Sequence, residues 1–351
     1  MKRLWEKISR RQASAGLLFF VLLLPWIPIG DSSNYILRIL TTAMLYMVLA
    51  LGLNIVPGFT GLLDLGFVGF YGIGAYTAGL LTIHFGISFW LIVPLAALNG
   101  ALFGILLGAP TLRLTGDYFA IVTLGFSEIA VMTIRNEIWL TRGPMGLPGI
   151  SPPSLFGYEI TRDWEYFYLI IFLLMVVILI VTRLRSSKIG RAWFGIRENE
   201  IAAQCCGINL IRYKVMAFAT SASIGAAGGA FFANWFKFIH PDMFKLWESI
   251  LILCLIVLGG MGSIVGTMLG ALVLIPMSEI LRMILPGELF NARFLIYGAV
   301  LVVMMRLRPA GILPFIRDQE DKAKQTAKRL SGYLASGADH KVPVAPTKEK
   351  I

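Results

Sequence analysis

The residues best suited to chemistry in this sequence are acids and hydroxyls that lie within long apolar stretches. Asp64 follows a glycine-rich run, and Glu128 lies in the middle of another apolar segment. Ionisable side chains are costly inside a membrane, so such residues often mark ion or substrate pathways. The alternative for each residue is that its side chain only satisfies a buried backbone group. With their neighbouring hydroxyls, the acids predict a polar translocation path lined by Asp64, Tyr71, Tyr118, Thr123, Ser127 and Glu128.

The composition predicts an all-α polytopic membrane protein. Of the 351 residues, 57% are hydrophobic and 15% are charged, whereas about 25% charged is usual in soluble domains. A spanning helix needs about 20 mostly apolar residues. The sequence predicts about ten transmembrane helices, some of them short or broken by Gly and Pro, or eight if 249–285 forms one kinked helix and another short segment is re-entrant. The ten segments are 13–30, 35–56, 62–83, 88–108, 117–135, 165–183, 214–235, 249–260, 263–285 and 292–306.

The basic residues predict the topology. The net charge of +11 comes largely from three clusters, near the N-terminus, around 183–214 and in the C-terminal tail. Clusters of this kind mark cytoplasmic segments, so we interpret them as topology rather than as a nucleic-acid surface. We therefore predict a cytoplasmic N-terminus (1–12), a transmembrane domain (13–310) with a cytoplasmic loop at 184–213 and an external loop at 136–164, and a polar, partly disordered cytoplasmic tail (311–351).

The motifs of common enzymes are missing from the sequence. It contains no Gly-rich loop ending in Gly-Lys-Ser/Thr, which would bind ATP. Its three histidines and three cysteines are not spaced as zinc ligands. The sequence therefore predicts no cofactor, no metal and no enzymatic activity of its own.

Glycine-rich stretches have two interpretations, close helix packing and a wet path through the membrane. Overlapping Gly-x-x-x-Gly steps in 100–108 and 262–270 favour packing. In 58–76 the glycines are accompanied by polar residues, which favours a path there.

One polar stretch within the apolar chain, "RENEIAAQCCGIN" (197–209), predicts a short helix with built-in ends. Asn199 can accept a hydrogen bond from an unpaired N–H of the first turn. Gly207 can end the helix in the left-handed conformation. A helix of about two turns is unstable alone in water, so it should dock on another surface.

The Glu-x-Ala-Ala-x-x-x-Gly run from Glu200 to Gly207 resembles the coupling motif of ABC importer permeases. Six ordered blocks, from about residue 35 to 315, narrow the resemblance to the LivM-type permease of branched-chain amino-acid importers. They are "GLNIVPGFTGLLDLGFVGFYGIGAYTAGLL", "LRLTGDYFAIVTLGFSEI", "TRGPMGLPGI", "GRAWFGIRENEIAAQCCGIN", "VLGGMGSIVGTMLGA" and "RPAGILP".

The resemblance implies a type II ABC importer-like permease in the bacterial inner membrane, without an ATP site of its own. Its partners would be a LivH-like second permease, two ATPase subunits that bind ATP, a periplasmic or extracellular binding protein and membrane lipid. It also implies that the cytoplasmic helix couples the permease to the ATPase, through Arg197, Glu198, Asn199, Glu200, Ala202, Ala203 and Gly207.

Two alternatives remain open at this point. The family usually has Ser-Leu-Gly-His where this chain has Asp64-Leu65-Gly66-Phe67, and it often has a polar residue where this chain has Met145. These departures leave urea or a short amide as an alternative substrate to leucine, isoleucine and valine. An ion-coupled secondary transporter would also explain broken helices and the acids Asp64 and Glu128.

Overall fold

The computed structural model describes residues 33–111, 117–155 and 158–284, together with the single positions 298, 299, 302, 306 and 311. The predicted N-terminal segment (1–12), the predicted span at 13–30, most of that at 292–306 and the tail beyond Gly311 lie outside the described residues.

Helices dominate the described part of the chain. The elements follow in the order α1 (Ser33–Leu53), a π-helical segment (Ile55–Thr60, the π segment), α2 (Phe67–Phe85), α3 (Phe89–Thr111), α4 (Asp117–Asn136), α5 (Ile138–Thr141), a 3₁₀ turn (Gly143–Met145), β1 (Leu147–Pro148), β2 (Ser154–Leu155), β3 (Tyr158–Glu159), α6 (Asp163–Ser186), α7 (Lys188–Glu198), α8 (Glu200–Cys205), α9 (Leu210–Phe236), β4 (Phe238–Ile239), a 3₁₀ turn (Pro241–Phe244), α10 (Leu246–Gly259) and α11 (Ile264–Ile284).

Helix α9 is the centre of the bundle and packs against α1, α2 and α3. The packing is close because glycines meet the small residues of α9. A Cβ atom at Gly74 would lie 2.2 Å from the Ala226 carbonyl oxygen, and one at Gly100 would lie 2.4 Å from the Ala226 Cβ. A Cβ atom at Gly104 would lie 2.8 Å from the Ala222 Cβ. The predicted packing role of 100–108 is therefore confirmed.

The membrane-spanning helices only partly match the predicted count. Five described helices are long and apolar enough to cross a membrane. They correspond to the predicted segments at 35–56, 88–108, 117–135, 165–183 and 214–235. The predicted segment at 62–83 corresponds to the largely buried helix α2, which is not among these five. Ten spans are therefore not confirmed within the described residues.

Helices α10 and α11 form a broken pair. Their axes bend by 120° at residues 260–263 and the pair adds at most one further span. The predicted segment at 249–285 is therefore interrupted, with two helices joined by a sharp bend. Gly259, Gly266 and Gly270 hold them together, since a Cβ atom at Gly270 would lie 2.2 Å from the Leu255 carbonyl oxygen. Packing is thus confirmed for 262–270 as well.

The connection between α4 and α6 contains little regular helix, as its Gly and Pro residues predict. Strand β1 pairs antiparallel with β4, and β2 with β3. The hydroxyl of Tyr158 donates to the Glu165 carboxylate over 2.8 Å. This hydrogen bond raises the pKa of Tyr158. The loop therefore has a defined structure, fixed by strand pairing to the end of α9.

Candidate functional site

Residues 187–209, which contain α7 and α8 and are called here the α7–α8 segment, have capped helix ends. The Ser187 hydroxyl accepts from Ile189 N at 3.1 Å. The Asn199 side chain accepts from Ala202 N at 3.0 Å, and α8 then ends before Gly207, whose φ is +80°. The Gly207 N–H donates to the Gln204 carbonyl at 2.9 Å. The predicted N-cap and left-handed C-terminal glycine are both confirmed.

Helix α7 attaches this segment to the bundle through aromatic side chains. Trp193 is fully buried and its indole N–H donates to the Tyr213 carbonyl at 2.8 Å. The Trp193 ring stacks on Phe59 of the π segment with ring centroids 6.4 Å apart. The Phe194 ring also contacts Phe59, edge-on, with centroids 5.3 Å apart. The predicted docking of the short helix is thus achieved by its neighbour α7.

An ion pair attaches α8 to α9. The Lys214 ammonium lies 2.7 Å from a Glu200 carboxylate oxygen, and the lysine side chain is 3% exposed against 38% for the glutamate. A groove of about 530 Å³ beside this pair is lined by Gln204, Gly207 and Ile211 among others. The sequence analysis assigned Lys214 only to topology, so this contact was missed.

The seven residues of the predicted coupling motif divide into inner and outer groups. Arg197 donates to the Gly58 carbonyl of the π segment. Glu200 is held by Lys214, and Ala203 is buried. Glu198, Asn199, Ala202 and Gly207 are exposed, and Ile201, which was not predicted, is 75% exposed.

The π segment joins the α7–α8 segment to the break between α10 and α11. Asn54, the residue immediately before the π segment, is fully buried, and its side-chain oxygen accepts from Gly262 N at 2.9 Å. A Cβ atom at Gly58 would lie 2.7 Å from the same Gly262 nitrogen. Gly58 also accepts from Arg197. A continuous set of contacts therefore runs from Arg197 through the π segment to the helix break.

The predicted path residues do not form one group. Asp64, Thr123 and Ser127 are each 1% exposed and lie where the start of α2 packs on α4. One Asp64 carboxylate oxygen accepts from Gly66 N at 2.9 Å, and the other has no hydrogen-bond partner among the described residues. The Thr123 hydroxyl accepts from Leu65 N at 3.2 Å.

The other three path residues lie apart. Tyr71 is buried against Phe232 and Phe244, with ring centroids 5.4 and 5.1 Å away. Tyr118 is 71% exposed on α4. Glu128 lines a cavity at the far end of α4. The structure thus brings three of the six together, while the role of all six stays a prediction.

The glycines of 58–76 also make packing contacts. A Cβ atom at Gly66 would lie 2.0 Å from the Thr123 carbonyl oxygen, and one at Gly72 would lie 3.1 Å from the Phe244 ring. These two glycines therefore make close packing contacts, and the path predicted at 58–76 stays a prediction.

No group of three potential metal ligands occurs in the part of the chain that the structure describes.

Comparisons with known proteins agree with the sequence motifs. The family described as "Branched-chain amino acid transport system / permease component" matches residues 35–305. The LivM permease proteins of the high-affinity branched-chain amino acid transport systems of Salmonella typhimurium and Escherichia coli are each 41% identical over 304 residues, covering 80% of this chain and 70% of theirs.

The same comparison finds a second kind of permease. The LivH permease protein of Salmonella typhimurium is 27% identical over 293 residues, covering 78% of this chain and 92% of LivH. No solved structure matches the chain. Together with the apolar helices, these matches identify the protein as a multi-pass membrane protein.

Proposed function

This chain belongs to the permease component family of branched-chain amino acid transport systems, and from that premise we propose that it is one permease subunit of an ATP-driven importer. It moves leucine, isoleucine and valine inward across the bacterial inner membrane. ATP is bound and hydrolysed on two separate ATPase subunits, so the permease needs no cofactor of its own.

The observation that carries the proposal is the α7–α8 segment. It is held from inside by the buried Trp193 and by the pair between Lys214 and Glu200. On its outer side Ile201, Ala202 and Gly207 are exposed. A short helix that is anchored on one side and free on the other is suited to fit a groove on an ATPase subunit.

The contacts behind the segment support a route for the ATP-driven motion. A displacement of α7 acts on the π segment through Arg197 and the Phe59 ring stack. The π segment acts on residues 260–263 through Asn54. Coupling between distant sites needs an element with two arrangements, and the break between α10 and α11 is our candidate for that element.

The remaining partners follow from the family. The similarity to LivH supports a LivH-like second permease that is related to this chain, with the translocation path between the two. A binding protein delivers the substrate to the 136–164 loop, and both chain termini lie in the cytoplasm. Urea or a short amide remains the alternative substrate.

The experiment that tests the proposal is co-purification of partners. The chain, tagged at its C-terminus, is solubilised gently and the accompanying proteins are identified by mass spectrometry. We expect an ATPase and a second permease. Substitution Ile201→Glu places a charge on the exposed face of α8 and should reduce the recovered ATPase by about tenfold, a loss of about 1.4 kcal/mol.

The matched control is Ile138→Glu, which alters another exposed isoleucine, 67% exposed, in the 136–164 loop. It should leave ATPase recovery unchanged. Equal recovery of the ATPase with Ile201→Glu and Ile138→Glu would contradict the coupling role of α8. A chain that purifies alone and takes up substrate in vesicles without ATP would support the ion-coupled transporter instead.

A further inference from the structure

A second candidate site lies between α4 and the start of α10. This cavity, called here the α4–α10 cavity, has a volume of about 310 Å³ and is lined by Glu128, Met132, Arg135, Lys245, Leu246 and Trp247 among others. Pockets for small ligands have volumes of about 300 Å³ or more, so this cavity is large enough for a free amino acid.

The cavity is at the opposite end of the bundle from the α7–α8 segment. Helix α4 begins beside the start of α9, where the rings of Phe119 and Phe218 are 5.1 Å apart. It then runs to Arg135, which binds Asp242 beyond the far end of α9. In the proposed orientation this is the external side, where the substrate arrives.

Charges of both signs are arranged along one face of α4. Glu128, Met132 and Arg135 are spaced four and three residues apart, which places them in one stripe. About 10 Å of helix separates Glu128 from Arg135. Negative charge is therefore available at the deeper end of the stripe and positive charge at its mouth.

The mouth holds more basic than acidic groups. Arg135 and Lys245 share one carboxylate, that of Asp242, and the Lys245 ammonium lies 3.1 Å from it. His240 also faces Asp242 at 3.6 Å. An ammonium has three donors and a guanidinium has five, so one shared carboxylate leaves donors for a second carboxylate.

The remaining cavity wall is apolar and accessible. Met132 is 59% exposed and Trp247 is 57% exposed, and Leu246 lies beside them. An aliphatic side chain placed there would be removed from water, which is favourable in proportion to the area covered.

We propose that the α4–α10 cavity is an entry subsite for the zwitterion of an apolar amino acid. Glu128 accepts hydrogen bonds from the ligand ammonium group. Lys245 and Arg135 donate to its carboxylate, and its side chain contacts Met132, Leu246 and Trp247. The proposal rests on the proposed function and adds a binding site to it. Neutral urea and amides lack both charges that the site would recognise.

The test uses the complete importer, with its second permease, ATPases and binding protein, in lipid nanodiscs. A leucine analogue carrying a photoreactive diazirine is added, irradiated, and located in this chain by mass spectrometry. We expect the label on peptides that contain residues 128–135 or 245–247. Excess leucine should abolish labelling, whereas the same concentration of urea or acetamide should not.

Substitutions then test the charged groups. Glu128→Gln removes the negative charge and should reduce labelling at a fixed analogue concentration by about tenfold, because charge-assisted hydrogen bonds are lost. Lys245→Gln should have a similar effect. The control Glu137→Gln changes an exposed acid just beyond the end of α4, whose carboxylate accepts from the Trp139 indole N–H at 2.7 Å. It should leave labelling unchanged.

The outcomes separate this proposal from the proposed function. If the wild-type complex takes up leucine with ATP but carries the label elsewhere, or if Glu128→Gln labels like the wild type, the subsite is wrong and the importer stands. If urea competes as well as leucine, the zwitterion preference is wrong. If the complete complex takes up no leucine with ATP, the proposed function fails and the subsite fails with it.

Discussion

Two groups of ion pairs lie at opposite ends of the bundle, and each joins basic side chains to a carboxylate in different surroundings. Near the α7–α8 segment, Lys214 is 3% exposed and pairs with Glu200. At the far end, Asp242 binds Arg135 and Lys245, and these three side chains are 39%, 44% and 51% exposed.

The difference in exposure separates an anchor from an accessible site. A buried ammonium cannot return to water when its partner is lost, so removal of that partner is costly. Exposed pairs contribute about 0–1 kcal/mol each, because water and salt screen them. We infer that the Lys214 pair fixes the position of α8, whereas the Asp242 group is free to exchange partners.

The largest expected effect is on the buried pair. Glu200→Gln leaves the Lys214 ammonium without its carboxylate, and we expect a loss of unfolding free energy of up to about 3 kcal/mol, the lower end for breaking a buried pair, since Glu200 is partly exposed. Thermal unfolding of the purified protein, followed by tryptophan fluorescence, measures it.

The control compares the stability losses of the two single variants of this ion pair. Lys214→Met removes the buried charge and leaves a carboxylate that reaches water, so it should cost less than Glu200→Gln. The double variant should be more stable than Glu200→Gln alone. Equal losses in both single variants would show that the burial of Lys214 does not matter.

A second effect concerns the contact between Asn54 and Gly262. Asn54→Leu removes the acceptor for the buried Gly262 N–H and should cost about 1–3 kcal/mol of stability. It should also lower the amount of substrate transported per ATP hydrolysed, because the hydrogen bond that connects this region to the helix break would be lost. Paired uptake and ATPase measurements in proteoliposomes provide this ratio.

Thr60→Val is the matched control for Asn54→Leu. Thr60, the last residue of the π segment, is also buried, but its hydroxyl donates to the Val56 carbonyl within the segment. Its loss should leave the ratio of transport to hydrolysis unchanged. A reduced ratio in both variants would indicate that the π segment is merely disturbed and does not transmit motion through Asn54.

The parts of this molecule that could be predicted are those governed by local rules. Asn199 and Gly207 terminate α8 through backbone geometry within a few residues, which sequence alone specifies. Gly100 and Gly104 recur at helical spacing, and that periodicity indicates a packing face.

The missed features depend on contacts between distant residues. Asn54 lies 208 positions from Gly262, and Arg197 lies 139 from Gly58. Nothing near Arg197 in the sequence indicates that its side chain turns inward. One signal was available for Asn54, because an amide in an apolar run must find a partner. The sequence could not identify that partner.

The smallest expected effect on stability is at the exposed group. Asp242→Asn removes one charge but keeps an acceptor of the same shape, and it should change the free energy of unfolding by less than about 1 kcal/mol. The loop does not depend on this charge, because β1 pairs with β4 and Phe244 is fully buried beside Tyr71. The same unfolding assay applied to Asp242→Asn and Glu200→Gln compares the two ends directly. A loss at Asp242 as large as that at Glu200 would mean that the charges of the α4–α10 cavity hold the loop, and would remove the reason for regarding Arg135 and Lys245 as available to a ligand.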